Sequence, residues 1–585
     1  MGFIRSALAV ALIAFVIVQY PFLWDLLPDF TALYGQLISR RHPIVKLSQG
    51  IVYGEHTYLS NSPIERFLGI PFALPPVGNL RFDAPRAIPD DPNRIISAKA
   101  YGLSCIQTTS QDHVSEDCLT VNVIRPASTD SSAKLPVMVW IYGGGFTDGA
   151  SVLYDGSELV KQSLAIKRPI IYVSMNYRLN LFGFLASSEV EKRAKSKGDA
   201  VLNAGLLDQR LALQWVQKNI DAFGGDREKV VVFGQSAGAI SIGSHLLSNH
   251  GKHSGLFRGA ILESGGSVGI PIIPAKEYDA SYAKLAERVA CNSSSSSSVF
   301  DCLRTVPVDT FQAVLEERRS GVTAFALKEQ PNNVVQDDDF HHARPSEAFK
   351  TGKIARVPTI IGTVLDEGVE FGTDKLTSEN ELREFIIENW VFNKPKSLSR
   401  TLNTLLRHYP DIPSLGSPYP SPSRTGGSWD DNSRLFEPLD SNQFKRVSSI
   451  AGDLIFESGR RVQLDDLARA GVPVWNYRFM QPPGDRETNT GVYHGGELQY
   501  VFARLADRQD AHGEISRIMS RAWIHFAHDL DPNGPELPSW PAFSLAKRES
   551  LQILYGNTTV IRDDYRKEAM DWMGRDYNWL AVSVR

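Results

Sequence analysis

Short apolar runs rich in Val and Ile recur along the chain and alternate with longer amphipathic stretches. Continuous apolar runs of this length are typical of strands buried on both faces of a sheet. The predicted strands are residues 137–141, 170–174, 230–233, 260–262, 359–361, 474–477 and 551–554. Residues 203–219 are predicted to form a helix, because their Leu, Trp and Val residues can form one apolar stripe. This alternation predicts an α/β fold whose mostly parallel central sheet carries helices on both faces.

Two low-complexity stretches interrupt this pattern, a serine run at residues 293–298 and a Ser-, Pro- and Gly-rich stretch at 416–429. Predicted strands continue on both sides of each, so we interpret them as insertions and not as domain linkers. The length of 585 residues would suggest several domains, since single cores stop growing near roughly 250–300 residues. We nevertheless predict a single domain over residues 25–585.

The first 24 residues have the layout of a targeting segment. Arg5 precedes an apolar run over residues 7–18, as in a secretory signal peptide. No Ala-x-Ala cleavage site follows, and the apolar character continues to Trp24, so an uncleaved signal anchor is the alternative. We therefore expect residues 1–24 to be a signal segment and the protein to be secreted, with membrane anchoring in the secretory pathway as the alternative.

Charge and composition narrow the class of partner. The net charge is −4, and 42% of the residues are hydrophobic, which suits a globular enzyme with a large core. No basic face is indicated for nucleic acid or anionic membranes, so a membrane is a partner only if the N-terminal segment stays as an anchor. We expect a small ligand without high charge.

The cysteines and two Asn-x-Ser/Thr sequences agree with export. Four cysteines behind a signal segment predict disulfides, and their spacing does not match a zinc site. Asn292 and Asn557 are predicted glycosylation acceptors.

Two serines match the Gly-x-Ser-x-Gly pattern of a nucleophile on a sharp strand-to-helix turn. A match arises by chance in roughly one chain in five of this length, so the context must decide. Ser236 follows a predicted strand and precedes a run of small residues that permits a closely packed helix. Ser267 runs into two prolines, at positions 271 and 274, which block a helix. We predict Ser236 as the nucleophile and Ser267 as part of a loop.

A run of three glycines, at positions 143–145, follows the strand predicted at 137–141. Glycines allow backbone N–H groups to approach a substrate oxygen without obstruction by a Cβ atom. We predict that Gly144, Gly145 and Ala237 donate to the oxyanion of a tetrahedral intermediate. A phosphate-binding loop is less well supported, because the Gly-Lys-Ser/Thr ending is missing.

A serine nucleophile needs a base and an acid, which in this type of fold follow it in the order acid, then histidine. His494 lies in a glycine-flanked loop before a helical stretch, as expected of a base near a pocket. For the acid, Asp366 and Glu367 both follow the strand predicted at 359–361, and residue type alone leaves the choice open.

Two histidine pairs could suggest metal ligands, but neither has a supporting ligand set with recognisable spacing. The pairs are His525 with His528 and His341 with His342. A solvated helix face explains the first pair and a solvated loop the second, so we predict no metal site.

Several motifs in a fixed order identify the chain with a known family. They are FLGIPFA (67–73), PPVGNLRF (75–82), EDCLTVN (116–122), NYRLNLFGF (176–184) and DQRLALQW (208–215). With these motifs the sequence resembles the type-B carboxylesterase/lipase family, which includes cholinesterases, and in particular its secreted fungal-type carboxylesterases. The resemblance covers residues 47 to 577 and implies a single α/β-hydrolase domain that needs no cofactor.

The resemblance also assigns residues. It implies disulfides between Cys105 and Cys118 and between Cys291 and Cys302. It implies Glu367 as the acid and His494 as the base, and Ser264 resembles a serine that supports the acid. The family commonly has Glu after the first glycine of the nucleophile motif, where this chain has Gln235. Because that position is not a reacting group, we expect a minor effect.

The predicted function is hydrolysis of carboxylic esters through an acyl-enzyme on Ser236. Only twelve residues separate Cys105 from Cys118, whereas family lipases carry a long lid between these cysteines. None of the twelve is Phe, Tyr or Trp, so the tryptophan with which cholinesterases bind choline is also missing. A broad carboxylesterase is therefore favoured. The alternatives are a lipase acting on long-chain acylglycerols or sterol esters, a tailoring esterase of secondary metabolism, and a non-catalytic binding protein.

Overall fold

The computed structural model describes residues 42–575, apart from 60–61, 109–112, 199, 271, 292–297, 320–333, 344, 374, 392–397, 412–442 and 483–490. The predicted signal segment, Asn292 and the stretch at 416–429 lie outside the described residues, as does all of the serine run except Ser298.

One large sheet runs through most of the described chain. The strands, in chain order, are β1 Ile44–Leu47, β2 Gly50–Tyr53, β3 Glu55–Leu59, β4 Ser62–Pro71, β5 Ile95–Ser97, β6 Ser104–Cys105, β7 Val114–Ser115, β8 Thr120–Pro126, β9 Leu135–Ile141, β10 Ile171–Met175, β11 Gly225–Gln235, β12 Gly259–Glu263, β13 Thr359–Val364, β14 Val474–Phe479, β15 Glu549–Ile553 and β16 Thr559–Arg562. Eleven of them form the sheet, in the order β16-β15-β14-β13-β12-β11-β9-β10-β8-β4-β3.

The centre of the sheet is parallel and its edges are antiparallel. From β10 through β9 and β11 to β15, neighbouring strands pair in parallel, whereas β16 at one end and β8, β4 and β3 at the other pair antiparallel. The residues of β10, β12, β13 and β14 are all buried. Every predicted strand is present, with ends that differ by a few residues, so the interpretation of apolar runs as doubly covered strands is confirmed.

Helices connect the strands and cover the sheet. The helices, in chain order, are α1 Ser157–Ala165, α2 Asn180–Phe184, α3 Ser188–Ser196, α4 Ala204–Asn219, α5 Ala237–Gly251, α6 Asp279–Arg288, α7 Val299–Thr305, α8 Val308–Arg319, α9 Pro345–Lys350, α10 Glu379–Trp390, α11 Leu398–His408, α12 Phe444–Gly452, α13 Ser458–Arg469, α14 Leu498–Val501, α15 Ala511–Asp529 and α16 Lys567–Arg575. Helix α1 packs against α15, and α4 packs against α5; α15 and α5 both pack on β9 and β11. The sheet therefore carries helices on both faces, as predicted, and α4 corresponds to the helix predicted at 203–219.

The cysteines pair as the family resemblance implies. Cys105 is bonded to Cys118, and Cys291 is bonded to Cys302. Asn557 lies exposed between β15 and β16, where an N-glycan could be accommodated. Within the described residues, no helix combines the length and apolar character needed to cross a membrane.

Candidate active site

The carboxyl ends of the central parallel strands meet at one edge of the sheet. Gly234 of β11 pairs in register with Ile141 of β9, so Ser236 and Gly143 each lie two residues beyond this pair. On the other side of β11, Gln235 pairs with Glu263 of β12, which pairs with Gly362 of β13. This register brings the predicted nucleophile, the glycine turn and the segment after β13 to a common edge, where open α/β sheets bind ligands.

Ser236 occupies a sharp turn between β11 and α5. Its backbone has φ 56° and ψ −125°, which a non-glycine residue rarely adopts, and its N–H donates to the carbonyl of Glu263 at 2.9 Å. A Cβ atom on Gly238 would lie 2.0 Å from the carbonyl oxygen of Ile141, and one on Gly234 would lie 2.6 Å from it. The flanking glycines are therefore required by the close approach of α5 to β9.

Ser267 is not in an equivalent turn. It lies in an irregular segment after β12 and is buried. Its hydroxyl donates to the carbonyl of Gly243 at 3.0 Å, and its N–H donates to the side chain of Gln463 at 2.9 Å. The prediction that Ser267 belongs to a loop is confirmed.

The glycine turn after β9 faces Ser236. A Cβ atom on Gly143 would lie 2.9 Å from the Cβ of Ser236. Gly144 and Gly145 have φ of 105° and 62°, and a Cβ on Gly144 would meet the carbonyl oxygen of Asp148 at 2.0 Å. The backbone N–H groups of Gly144, Gly145 and Ala237 donate to no protein acceptor within the described residues. They remain available to a substrate oxygen.

Glu367 and His494 form a close pair. Nδ1 of His494 lies 2.5 Å from Oε2 of Glu367, and Oε1 of Glu367 accepts the N–H of Val364 at 2.8 Å. The Glu367 side chain is 1% exposed and that of His494 is 8% exposed. A carboxylate held in this way fixes the orientation of an imidazole and stabilises its cation.

Asp366 bonds the backbone of the segment that leads to His494. Its Oδ2 accepts the N–H of Val492 at 2.8 Å, and its own N–H donates to the carbonyl of Val492 at 3.0 Å. A Cβ on Gly491 would lie 2.3 Å from that carboxylate oxygen. The two adjacent carboxylates, which residue type alone could not tell apart, thus have different contacts: Glu367 bonds the ring and Asp366 bonds the backbone.

The second ring nitrogen of His494, Nε2, contacts Gln235. Sequence reasoning missed this contact. Nε2 of His494 lies 3.0 Å from Nε2 of Gln235, and Ser236 and His494 are not hydrogen-bonded to each other. Such bonds are often long before substrate binds. The ring also packs against Phe371 and Phe456, with centroid distances of 5.1 and 4.5 Å.

Opposing effects act on the pKa of His494. Burial lowers the pKa of the imidazole, but the charge of Glu367 and its hydrogen bond raise it, and the net pKa lies above the ordinary value. The charge of Glu370 raises it further. The ring is therefore a stronger base than a free imidazole.

A second layer of buried acids lies behind this pair, and Ser264 was the only part of it that sequence reasoning found. Glu263 and Glu497 are fully buried, and Oε1 of Glu263 accepts the indole N–H of Trp523 at 2.7 Å. Burial, followed by the charge of Glu367, raises the pKa of Glu497 to about 8. Ser264 is buried beside β13, where its N–H donates to the carbonyl of Gly362 at 2.9 Å. The sequence signal that could have pointed to Glu497 is its position three residues after His494.

The raised pKa of Glu497 predicts a pH-dependent loss of stability. The folded protein keeps this proton up to about pH 8, whereas the unfolded chain releases it above the ordinary glutamate pKa of 4.5, so stability falls as the pH rises through this window. The isosteric Glu497→Gln variant cannot ionise. Its advantage over the wild type in urea unfolding should therefore grow between pH 5 and pH 8, by on the order of a few kcal/mol. The exposed Glu228→Gln variant is the control, and an advantage equal at both pH values contradicts the prediction.

The histidine pairs considered as metal ligands are held by protein contacts. His341 and His525 are buried, which corrects the expectation of a solvated loop and a solvated helix face. Nε2 of His341 bonds the hydroxyl of Ser244 at 2.9 Å, and Nε2 of His525 lies 3.1 Å from Glu536. Within the described residues, no group of three or more His, Cys, Asp or Glu side chains is arranged to hold a metal ion.

Comparison with known proteins agrees with this fold and family over most of the chain. The model of the carboxylesterase family matches residues 41–573. Lipase 2 of Diutina rugosa is 32% identical, over 86% of this chain and 91% of the lipase. The secreted triacylglycerol lipase LIP1 of Gibberella zeae is 31% identical, over 92% of this chain and 91% of that protein.

A solved structure matches the fold. The crystal structure of Aspergillus niger EstA superposes with a TM-score of 0.76 at 27% identity, over 93% of this chain and 99% of EstA. The α/β-hydrolase fold expected from the sequence is confirmed. The chain belongs to the carboxylesterase family and is a carboxylic ester hydrolase.

Proposed function

We propose that the enzyme hydrolyses esters through an acyl-enzyme on Ser236, with His494 as the base and Glu367 as the acid that orients it. The observation that carries this proposal is the 2.5 Å contact between Nδ1 of His494 and Glu367, which leaves Nε2 of the ring beside the segment that contains Ser236. In a neutral imidazole whose Nδ1 bears the proton, Nε2 has the lone pair that a general base needs.

The reaction then has two halves. Nε2 of His494 takes the proton of the Ser236 hydroxyl as Oγ attacks the ester carbonyl, and the same nitrogen returns the proton to the departing alcohol. Water attacks the acyl-enzyme by the same route. The N–H groups of Gly144, Gly145 and Ala237 stabilise the oxyanion of each intermediate, each contributing on the order of 100-fold or more in rate. No step of this mechanism requires a cofactor or a metal.

For the substrate we propose short-chain esters. The twelve residues between Cys105 and Cys118 are too few for a long lid, which favours an open pocket. With p-nitrophenyl esters from acetate to palmitate, we expect kcat/KM to fall with chain length beyond the short acyl groups. A preference for the longest chains would contradict this proposal.

A lipase acting on long-chain acylglycerols is the second candidate. It is favoured by the relatives, which include lipases of Diutina rugosa and a secreted triacylglycerol lipase of Gibberella zeae. The same ester series distinguishes the two candidates, because a lipase would maintain or increase its rate with palmitate, and more so once the substrate forms aggregates.

We further propose that residues 25–585 form one domain and that the protein is secreted. A single sheet that takes strands from Glu55 to Arg562 supports one domain. Relatives named as secreted lipases, two disulfides and the exposed Asn557 support export. N-terminal sequencing of protein from the culture medium would test both the export and the removal of residues 1–24.

A further inference from the structure

Gln235 is the last residue of β11 and directly precedes Ser236. Its side chain is buried, with 5% of the residue exposed. A Cβ on Gly143 would lie 3.1 Å from its Oε1, and one on Gly495 would lie 3.4 Å from its Nε2. The amide is thus confined between the glycine turn after β9 and the loop that carries His494.

The contact between Gln235 and His494 has one consistent assignment of hydrogens. Oε2 of Glu367 can only accept, so Nδ1 of His494 at 2.5 Å carries the proton. Nε2 of the neutral ring then has a lone pair and no proton, and only a donor can bond to it. The amide N–H of Gln235, with its nitrogen 3.0 Å away, is that donor.

We infer that Gln235 is a positioning residue of this hydrolase: its side-chain amide donates to Nε2 of His494 and holds the neutral imidazole beside Ser236 with that nitrogen unprotonated. The inference rests on the proposed function, because it takes Nε2 as the atom that receives the serine proton. It also replaces the expectation that Gln in place of the family's common Glu has a minor effect.

The hydroxyl of Ser236 and the amide of Gln235 compete for the same lone pair. When the proton moves from Oγ of Ser236 to Nε2, that nitrogen becomes a donor and can no longer accept from the amide. Gln235 then has to turn its Oε1 towards the ring or release it. The amide therefore stabilises the neutral base over the cation.

The charges around His494 explain why an uncharged side chain at position 235 helps to keep the ring neutral. Glu367 and Glu370 face the ring from the turn after β13, and Glu497 faces it from its own loop, while Phe371 and Phe456 cover it with apolar surface. The charges of Glu367 and Glu370 raise the pKa of the imidazole. A further carboxylate at position 235 would pair directly with the protonated ring and keep it from acting as a base at acidic pH.

The test is the pH profile of kcat/KM for p-nitrophenyl acetate, from about pH 5 to pH 9, for the wild type and Gln235→Glu. The acid limb is the part of this profile where kcat/KM falls as the pH is lowered. We expect it to move up by about one pH unit in Gln235→Glu. At pH 6 its kcat/KM should be roughly tenfold below that of the wild type, and at pH 8.5 within about twofold. The Gln509→Glu variant adds the same charge at an exposed position between α14 and α15 and should leave the acid limb in place.

Gln235→Met keeps the length of the side chain but has neither donor nor charge. We expect its kcat to fall about three- to tenfold with KM within twofold, because the ring loses its partner, and its acid limb to move less than that of Gln235→Glu. If Gln235→Glu does not fold by circular dichroism, the methionine variant decides: a kcat and profile equal to those of the wild type overturn the inference.

Labelling by an organophosphonate separates this inference from the proposed function. A wild-type enzyme that is not labelled at Ser236 contradicts the proposed function itself. An enzyme that is labelled and active, but whose acid limb is the same in Gln235→Glu, contradicts only the role of Gln235.

Discussion

Replacing Ser236 with alanine should abolish ester hydrolysis, with kcat falling by at least about 10⁴-fold. The variant loses the proposed nucleophile, so no acyl-enzyme should form, and the remaining N–H donors can assist only a direct attack by water. The fold should be unaffected, because Ser236 is anchored through its backbone N–H and carbonyl groups. The measurement is hydrolysis of p-nitrophenyl acetate, with circular dichroism to verify folding.

Ser267→Ala is the matched control, since it removes the other serine in a Gly-x-Ser-x-Gly sequence. Ser267 donates to the carbonyl of Gly243, so its loss should lower stability slightly and leave kcat within about twofold. Full activity in Ser236→Ala, or loss of activity in Ser267→Ala alone, would reverse the assignment of the nucleophile.

Glu367→Gln should lower kcat at neutral pH by roughly 10³- to 10⁴-fold. The carboxylate accepts from Nδ1 of His494, whereas an amide can donate to that nitrogen and favour the tautomer that carries its proton on Nε2. A ring in that tautomer cannot take the proton of Ser236. Because the two side chains have the same shape, the loss should appear in kcat with little change in thermal stability.

The adjacent Asp366→Asn variant distinguishes the two acids. Asp366 accepts the N–H of Val492 and holds the loop that leads to His494, so the asparagine variant should lose stability and no more than about tenfold in kcat. A larger loss of kcat in Asp366→Asn than in Glu367→Gln would exchange their roles.

The sequence predicted the centre of the fold better than its edges. Strands such as β9 and β13 are covered on both faces, so a continuous apolar run marks them. At the edge of the sheet, β3 has no buried residue, and its mixture of polar and apolar side chains carries no clear signal.

Local features of the site were equally predictable. The turn at Ser236 needs small neighbours because α5 approaches β9 closely, and the glycines that meet this need are visible in the sequence. The prolines after Ser267 likewise rule out a helix from the sequence alone.

The sequence by itself determined the central strands and their alternation with helices, the turn at Ser236, the glycine turn and, through its motifs, the family. Only the tertiary structure decided that Glu367 contacts the imidazole while Asp366 holds the backbone, and that Gln235 bonds to His494 across 259 positions. The physical reason is the range of the interactions. Periodicity and steric limits act between near neighbours in the chain, whereas these contacts depend on the strand register and loop packing that bring distant segments to one edge of the sheet.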